Sequence, residues 1–387
     1  MKNILWLASW YPNKLSPFDG DFLQRHAKAV SLFTQVHVIY VVKDDAGVFT
    51  KSHKEDITES GNLTEQIIYY NSPKTGIKLL DRILSQRTNN RLYRAAINSF
   101  IAKNGKPGLI HVQIAMKAGL AALWAKRTLD IPYIVSEQWT GYLPEADFRV
   151  TDYPAVYQKW MKKVIEDASI ITVVTEHLGM AIKQLYPSVK YRVIPNVVDT
   201  AIFYPAQKQE TNTPRFIHIS NMNYQKNTEA ILEAFHLLKN ELPFQLHLYG
   251  SSNEKLNEMI RSLDLTSVVF LKGEVPQSEL AIAIQQSDAL ILYSRFETFG
   301  CVLIEANACG VPVIVSDIEV FHELVEEGEN GIFVQENNPV LLAEKLKAFS
   351  KQKDRFNKQV IAEKTAAKYN YKKIGQQFID LYTELLA

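Results

Sequence analysis

Short apolar runs alternate with helical patterns along most of the chain. In the first half, the apolar runs are almost continuous, which is typical of strands in a parallel sheet that helices cover on both faces. The predicted strands are Ile4–Leu7, Val36–Val42, Leu109–Val112, Tyr133–Ser136, Ile170–Val174 and Arg192–Ile194. The predicted helices are Asp21–Phe33, Leu92–Lys103, Gly119–Thr128 and Val156–Ala168. This alternation predicts a doubly wound α/β domain.

A polar stretch after Pro205 separates this series from a second one. The stretch, AQKQETNTP at residues 206–214, ends in a proline and has the composition of a linker. The strands predicted beyond it are Phe216–Ile219, Gln245–Tyr249, Val268–Leu271, Ala289–Leu292, Val313–Val315 and Gly331–Val334. The helices predicted with them are Asn227–Leu238, Asn253–Leu263, Gln277–Gln285, Gly300–Ala308 and Pro339–Phe349. A second doubly wound domain is therefore predicted.

The two series predict domains of residues 1–205 and 206–370, which suits a chain of 387 residues. We expect a ligand to bind in a cleft between these domains. The final segment, residues 371–387, carries a strongly amphipathic helix at Ile374–Leu386. We expect this helix to cross back to the N-terminal domain.

Composition excludes several classes of protein. The chain is 47% apolar and 22% charged, as globular proteins are, and its 43 basic residues nearly balance its 42 acidic ones. We therefore expect no nucleic-acid partner. The start of the chain lacks the features of a signal peptide, and no apolar run is long enough to span a membrane. The two cysteines suit a reducing compartment, so we expect a cytoplasmic protein.

The segment FETFGCVLIEANACGVPVIVSD, residues 296–317, places two carboxylates in an otherwise apolar run. A helix is predicted from Gly300 to Gly310. Its start faces the carboxyl edge of the predicted sheet, where open α/β folds bind ligands. The N–H groups of Phe299, Gly300 and Cys301 are therefore expected to form an anion site.

Two glutamates flank this expected anion site. Glu305, one turn into the helix, leans back toward the helix start, and Glu297 approaches from the preceding loop. Each carboxylate can accept two sugar hydroxyls in charge-assisted hydrogen bonds, so a nucleotide sugar fits the pattern. Taken singly, Glu305 also suits the helix dipole, and Glu297 also suits a solvated loop.

The same segment resembles the E-x7-E signature of the retaining family-4 glycosyltransferases. That family has the GT-B fold, in which two Rossmann-like doubly wound domains face each other across a cleft. Further segments resemble motifs of the family in the family's order, and the similarity spans nearly the whole chain. They are WYPNKLSPFDGDFLQRHA at 10–27, VIPNVVDTAIFYP at 193–205, KNTEAILEAF at 226–235, LKGEVPQSELAIAIQQSDALILYSRFETFG at 271–300 and HELVEEGENGIFV at 322–334.

The resemblance implies roles for five residues. Lys226 is expected to neutralise the donor diphosphate, Glu305 to bind the ribose, and Glu297 to bind the donor sugar. Asn221 stands where the family usually has an arginine, and it supplies hydrogen bonds without charge. Gln138 stands where the family commonly has a histidine. It can bond a donor-sugar hydroxyl from across the cleft but cannot act as a general base.

Acceptor-side residues are expected in the first domain. The resemblance implies that Gly20 lies in a flexible loop that contacts the donor phosphate or the acceptor. Glu137 is the nearest candidate for a base, and a structural carboxylate is the alternative. Trp139 and Tyr142 can stack on an acceptor sugar, or they can simply pack at the end of a strand.

The sequence DGD at residues 19–21 is compatible with a metal site, but we predict a helix start there instead. Asp21 with Gln24 predicts a capping box, and Gly20 suits a turn. The histidines show no metal-ligand spacing, and the resemblance implies transfer without a metal. We therefore expect no metal and no cofactor.

Basic residues dominate the region from 74 to 106, with one acid, Asp81, among them. The basic residues are Lys74, Lys78, Arg82, Arg87, Arg91, Arg94, Lys103 and Lys106, and Leu79, Leu80, Ile83, Leu84 and Phe100 are interleaved with them. Such a run forms either a solvated face or a surface that binds an anionic membrane near a lipid-linked acceptor. The sequence leaves both alternatives open.

The motifs together predict a retaining hexosyltransferase that uses a nucleotide diphosphate sugar. The expected acceptor is a glycan or a lipid-linked glycan, in cell-surface polysaccharide synthesis in the cytoplasm or at the inner face of the membrane. One alternative is a nucleotide-sugar epimerase with the same architecture. Another, suggested by Asn221 and Gln138, is a catalytically weak module that binds a nucleotide sugar. Neither the donor's base and sugar nor the linkage follows from the sequence.

Overall fold

Two sheets, each with its own helices, organise the chain. A computed structural model describes residues 3–49, 53–72, 75–208 and 213–387. Unit 1 consists of Met1–Pro144, Phe148–Val197 and Tyr371–Ala387, and unit 2 consists of Glu145–Asp147 and Val198–Asn370. Lys74 of the basic run and residues 209–212 of the predicted linker lie outside the described residues.

The strands of unit 1 are β1 (Ile4–Ala8), β2 (Val36–Lys43), β3 (His53–Ser60), β4 (Leu63–Tyr70), β5 (Leu109–Gln113), β6 (Tyr133–Glu137), β7 (Ile171–Val173) and β8 (Tyr191–Val193). Among the described residues they form one sheet in the order β3-β4-β2-β1-β5-β6-β7-β8. β3 is antiparallel to β4, and the other neighbours are parallel. β1 is central and fully buried, and its Ile4 is in register with both Val36 and Leu109.

The helices that follow these strands are α1 (Asp21–Ser31), α2 (Lys78–Asn104), α3 (Met116–Leu129), α4 (Ala155–Glu166) and α5 (Glu176–Leu185). α2, α3 and α4 pack side by side. Because α1 connects strands in the opposite direction across the sheet, a right-handed crossover places it on the other face.

Unit 2 contains a fully parallel sheet. Its strands are β9 (Arg215–Ile219), β10 (Gln245–Tyr249), β11 (Val269–Gly273), β12 (Ala289–Leu292), β13 (Val313–Ser316) and β14 (Gly331–Val334). Within the described part of the chain, their order is β11-β10-β9-β12-β13-β14. The helices are α6 (Thr228–Leu238), α7 (Glu254–Ser262), α8 (Gln277–Gln285), α9 (Cys301–Ala308), α10 (Pro339–Gln352) and α11 (Lys358–Tyr369).

The last helix, α12 (Tyr371–Leu386), packs against α1 in unit 1. Its buried face includes Ile374, Phe378 and Tyr382, which join the core around Trp6. The imidazole of His26 lies edge-on to Phe378, with ring centroids 5.1 Å apart. The amphipathic pattern of this segment therefore reflects a helix with one buried face.

The strand order reverses once in each unit. In unit 1 the chain moves one way from β1 and the other way from β5, and in unit 2 the same holds for β9 and β12. A crevice forms at such a switch point, at the carboxyl ends of the two neighbouring strands, and open α/β folds bind ligands there. The loops after β1, β5, β9 and β12 are thus the places where chemistry is expected.

The predicted fold class of two doubly wound α/β units is confirmed, and the predicted strands are all present within one or two residues. The hairpin of β3 and β4 was not predicted, because β3 is an exposed edge strand with the polar sequence HKEDITES. α2 begins at Lys78 and not at the predicted Leu92. The prediction missed its first turns because they expose apolar side chains and lack an amphipathic pattern. α5 and α11 were also missed.

The predicted capping box of Asp21 and Gln24 is wrong. Gly20 occupies the N-cap position of α1 with a left-handed backbone (φ 67°), so Asp21 is already inside the helix. The amide of Gln24 instead donates to the carboxylate of Glu65 at 2.7 Å. Gly20 is required here, because a Cβ on it would lie 2.9 Å from the backbone of Trp10 and Tyr11.

Among the described residues, no helix has both the length and the apolar character needed to cross a membrane.

Replacing Gly375 by alanine is expected to destabilise unit 1. A Cβ at this position of α12 would lie 2.2 Å from the carbonyl oxygen of Ala29 in α1, and a backbone atom cannot rotate out of the way. Alanine gains roughly 1 kcal/mol of helix propensity over glycine, but overpacking costs about 1–3 kcal/mol. We therefore expect a net loss of stability in urea unfolding.

The matched control is Gln376→Ala, at the exposed neighbouring position. It removes one surface hydrogen bond, to Asp380 at 2.8 Å, and should hardly move the unfolding midpoint. An unchanged midpoint for Gly375→Ala would mean that α1 and α12 do not approach this closely.

Candidate functional site

A buried ion pair occupies the switch point of unit 2. Lys226 lies in the loop after β9 and Glu297 in the loop after β12, 71 positions apart in sequence, and the Lys226 ammonium bonds Oε1 of Glu297. The Ser294 hydroxyl donates to the same oxygen at 3.0 Å. Only 5% of the Glu297 side chain and 18% of the Lys226 side chain are exposed. A carboxylate this buried is stable only when it is paired in this way.

The two loops that carry this pair are fastened to each other. The Arg295 N–H donates to the carbonyl of Gln225 at 2.8 Å, and the Gln225 amide donates to the carbonyl of Phe296 at 3.1 Å. The Arg295 guanidinium stacks on the ring of Tyr224, 4.3 Å from its centroid. These contacts hold the two loops together and keep Lys226 beside Glu297.

α9 begins four residues after Glu297, at Cys301. Gly300 is its N-cap residue with φ 87°, and an added Cβ would lie 3.2 Å from Leu292 and Phe321. Only glycine combines this backbone conformation with such close neighbours. Phe299 is buried, and its ring lies edge-on to Tyr369. The predicted end of the helix is confirmed, because Gly310 follows with φ 74° and donates to the carbonyl of Asn307 at 2.8 Å.

Glu305 is buried in the second turn of α9. Burial, with the charge of Glu305 beside it, raises the pKa of the Cys309 thiol to about 12. Cys309 therefore stays a protonated core residue and cannot act as a nucleophile. Cys301, at the start of the helix, is not part of a disulfide.

The loop after β9 is shaped by polar groups that the sequence did not single out. His218 lies 2.8 Å from both the Ile291 carbonyl and the Ser220 hydroxyl, and burial lowers its pKa to about 4, so the imidazole is neutral. The Ser220 hydroxyl accepts the N–H of Met222 at 2.9 Å. Asn221 is exposed between them. The only signal in the sequence is a histidine inside an apolar strand, FIHIS.

A second polar cluster lies at the switch point of unit 1. Glu137, the last residue of β6, is fully buried, and its Oε1 accepts the Ala115 N–H at 2.7 Å and the Tyr142 hydroxyl at 2.9 Å. Ala115 follows Ile114, a β-branched residue with φ 65°, which is a strained conformation. Burial raises the pKa of Glu137 to about 7. Through its bond from the Ala115 N–H, the carboxyl fixes the turn between β5 and α3.

Gln138 follows Glu137 and is 7% exposed, and its Nε2 is buried without a hydrogen-bond partner among the described residues. Trp139 is half-buried and packs edge-on against Tyr142 and Tyr153. Tyr142 is buried with its hydroxyl on Glu137, which is the packing alternative that the sequence allowed.

The structure thus gathers the predicted residues into one cluster in each unit. In unit 2, Lys226, Glu297 and the start of α9 share one switch point, with Ser294 as an unpredicted member. In unit 1, Gln138 and Glu137 lie at the carboxyl edge of the sheet, as does Gly20 in the loop after β1. Within the described residues, His, Cys, Asp and Glu form no group of three that could hold a metal ion.

Two known families together match residues 48–369. The family described as glycosyl transferases group 1 matches residues 202–369, which contain the Lys226 and Glu297 cluster. The family described as glycosyltransferase family 4 matches residues 48–202. The chain belongs to the family-4 glycosyltransferases.

Individual proteins are similar to the chain in sequence or in fold. The chain is 23% identical to N-acetyl-α-D-glucosaminyl L-malate synthase of Bacillus anthracis, over 74% of this chain and 77% of that one. Sucrose-phosphate synthase of Thermosynechococcus elongatus has the same fold, with a TM-score of 0.81 at 17% identity over 99% of both chains. HepE of Anabaena, solved with UDP-glucose, gives a TM-score of 0.74 at 16% identity over 99% of this chain and 100% of that one. The GT-B assignment of the two Rossmann-like units is confirmed.

The stability of this family-4 glycosyltransferase should fall as Glu137 ionises. Because the pKa of Glu137 is raised to about 7 from an ordinary value of 4.5, its contribution to stability is complete below the ordinary value and is lost as the pH rises through about 7. Glu137→Gln keeps the shape and the two bonds to Oε1 but cannot ionise. Melting temperatures measured from about pH 5 to about pH 8 should therefore fall for the natural protein relative to the variant.

Glu166→Gln, at an exposed position, is the control and should leave the pH profile of the natural protein unchanged. Parallel profiles for the natural protein and Glu137→Gln would show that the Glu137 carboxyl does not titrate in this range.

Proposed function

We propose that the chain is a retaining glycosyltransferase that moves a hexose-type sugar from a nucleotide diphosphate sugar to a glycan or a lipid-linked glycan. We propose that it acts in the cytoplasm or at the inner face of the membrane, in cell-surface polysaccharide synthesis. The observation that carries the proposal is the buried pair of Lys226 and Glu297 beside the start of α9. A cation, a carboxylate and a helix N-terminus at one switch point match a ligand with a diphosphate and hydroxyl groups.

The position and chemistry of each group support the proposed binding roles. Lys226 and the N–H groups at 299–301 take the diphosphate, Glu305 takes the ribose hydroxyls, and Glu297 takes hydroxyls of the donor sugar. Asn221, exposed in the loop before Lys226, adds hydrogen bonds to the phosphates without adding charge. HepE, of the same fold, was solved with UDP-glucose, and this supports a nucleotide sugar as the donor.

Unit 1 contributes the remaining groups. The buried and unpaired Nε2 of Gln138 is a donor that a hydroxyl of the donor sugar can satisfy, which removes the cost of leaving that group unbonded. Gly20 and the half-buried Trp139 border the acceptor. Glu137 and Tyr142 hold the segment around Gln138 and Trp139 through the bond between them, and they need not touch the sugar.

Front-face substitution accounts for retention with these groups. The bond from the anomeric carbon to the phosphate oxygen breaks, the acceptor oxygen forms its bond on the same face, and the acceptor proton passes to the departing diphosphate. Lys226 and the amide groups stabilise the charge that develops on the diphosphate. Because they supply positive charge directly, we propose that transfer needs no metal, which sustained activity in excess EDTA would support.

Glu305→Ala is expected to abolish the stabilisation that a donor gives. A ligand at a concentration about 100 times its Kd stabilises the folded state by about 2.7 kcal/mol, which appears as a higher melting temperature in a screen of UDP-, GDP- and ADP-sugars. Glu305→Gln keeps the volume but has fewer acceptor sites, so it should lose most of the shift as well.

The control for both variants is Glu336→Ala, an exposed acid of unit 2, which should keep the full shift. A full shift in Glu305→Ala would place the ligand elsewhere. An epimer of the donor formed without any acceptor would identify an epimerase instead, and a shift without turnover would identify a binding module.

Lys226→Ala is expected to reduce kcat by about 10²–10³, the usual cost of losing one group that stabilises developing charge. The variant leaves Glu297 with its bond from Ser294 but without its lysine, so it should be less stable, and its melting temperature is measured before rates are compared. The measurement is nucleotide release from the donor identified above. Lys255→Ala, at an exposed lysine that pairs only loosely with Glu229 at 3.8 Å, is the control and should retain activity. Equal rates for the two variants would remove Lys226 from the site.

A further inference from the structure

Three neighbouring helices of unit 1 carry a strong excess of positive charge. α2, α3 and α4 pack side by side, and Arg94 of α2 lies over the ring of Trp124 in α3 at 5.1 Å. The basic residues of these helices are Lys78, Arg82, Arg87, Arg91, Arg94, Lys103, Lys117, Lys126, Arg127, Lys159, Lys162 and Lys163, and the acids are Asp81 and Glu166. The whole chain has a net charge of only +1, so charge is concentrated on this layer.

The first turns of α2 also expose apolar side chains. Ile77, Leu79, Leu80 and Ile83 are between 40% and 67% exposed. Asp81, the one acid within α2, accepts hydrogen bonds from the N–H and the hydroxyl of Thr75, both at 2.7 Å. Its charge is therefore engaged locally, and the exposed basic groups around it, Lys78, Arg82 and Arg87, are left to face solvent.

α4 repeats this arrangement. Val156 is 62% exposed and Trp160 is 43% exposed in its first turns, and Lys159, Lys162 and Lys163 are exposed around them. Lys162 approaches Glu166 at 3.8 Å, a distance too long for a strong pair. An exposed tryptophan among lysines is unusual on a surface that meets only water, and it is typical of side chains that lie at a membrane–water interface.

Both apolar groups lie at the same edge of unit 1. A helix that follows a strand of a parallel sheet starts at the carboxyl edge of that sheet, so the first turns of α2 and α4 share that edge. The Tyr70 hydroxyl, at the end of β4, lies 3.1 Å from the Ser85 hydroxyl and fixes α2 there. Gly20 and Gln138 also lie at this edge.

We infer that the starts of α2 and α4, with the basic residues around them, form a docking surface for an anionic lipid bilayer. The inference deepens the proposed function, on which it rests, by placing the acceptor in a membrane. Leu79, Leu80, Ile83, Val156 and Trp160 enter the interfacial region, and the lysines and arginines bind anionic headgroups. The charge of the surface selects this occupant over a neutral one, because every apolar side chain in it is bordered by exposed cations.

The test uses the 387-residue chain in three conditions: with vesicles of phosphatidylcholine alone, with vesicles of phosphatidylcholine and an equal part of phosphatidylglycerol, and with these mixed vesicles in high salt. The protein is expected to sediment with the mixed vesicles at low salt, and not with phosphatidylcholine vesicles or with mixed vesicles in high salt. Arg82→Glu with Arg87→Glu should weaken binding by at least about tenfold, since each basic residue near an anionic surface adds substantially to the affinity. Leu79→Ser with Leu80→Ser and Ile83→Ser should weaken it as strongly.

Insertion of side chains into the bilayer is measured separately from electrostatic binding. Lipids brominated near the headgroup should quench the tryptophan fluorescence of the bound protein, and Trp160→Phe should remove most of the quenching while the other four tryptophans remain. The matched control for charge is Lys28→Glu with Lys372→Glu, two exposed lysines of α1 and α12 on the other side of the sheet. This control should bind vesicles like the natural protein.

Equal binding to neutral and anionic vesicles, or equal losses in the α2 variant and the α1–α12 control, overturns the inference. So does a salt-sensitive dimer that the α2 variant abolishes while vesicles are not bound, because the surface would then serve a second copy of the chain. The donor-induced melting shift is measured on the same preparations. It depends on unit 2, so a lost shift with intact vesicle binding counts against the proposed donor site, and the reverse counts against the membrane surface.

Discussion

The buried carboxylate of Glu297 is the constraint on which the arrangement of unit 2 depends. Taking a carboxylate out of water costs several kcal/mol, so the fold must supply partners wherever it buries one. Here the partners, Lys226 and Ser294, come from loops that leave β9 and β12. Those strands are neighbours in the sheet only because the strand order reverses between them. The topology thus brings the charged groups together, and the charged groups in turn fix the loops.

The same logic operates at the reversal point of unit 1. Glu137 accepts a hydrogen bond from the turn after β5, where Ile114 has an unfavourable backbone conformation, and the Tyr142 hydroxyl donates to the same carboxyl oxygen. Unit 1 buries a carboxyl group that can hold its proton, and unit 2 buries an ion pair. Because burial raises the pKa of Glu137 to about 7, this carboxyl can be buried by holding its proton, whereas Glu297 is buried with a lysine. The two units therefore stabilise a buried carboxyl near the reversal point in two different ways.

Most of the sheet could be predicted from the sequence because a parallel strand covered on both faces is a continuous apolar run. β3 could not, since it lies at the sheet edge with nearly every side chain exposed, and no apolar pattern marks it. The start of α2 was missed for the opposite reason, because its exposed leucines break the pattern of a helix with one buried face. The Asp21 capping box failed because the close approach of Gly20 to Trp10 and Tyr11 sets where α1 begins.

The residues of the site could be predicted more easily than their contacts. Local order along FETFGCVLIEANACG indicates a helix start and two acids, but the sequence does not reveal that Glu297 meets a lysine 71 positions earlier. Ser294 gives one usable signal, a polar residue two positions after a buried strand. His218 gives less, because a histidine in an apolar strand is compatible with many kinds of core.

The pair of Lys226 and Glu297 does not have to break when a diphosphate arrives. An ammonium group has three N–H donors, and Glu297 uses one of them, so two remain for phosphate oxygens. A carboxylate has about four acceptor positions, so Glu297 can accept sugar hydroxyls while it keeps the lysine and Ser294. In the proposed reaction the pair therefore acts as a preorganised bridge between leaving group and sugar, and no ion pair has to be separated before the bond to the phosphate breaks.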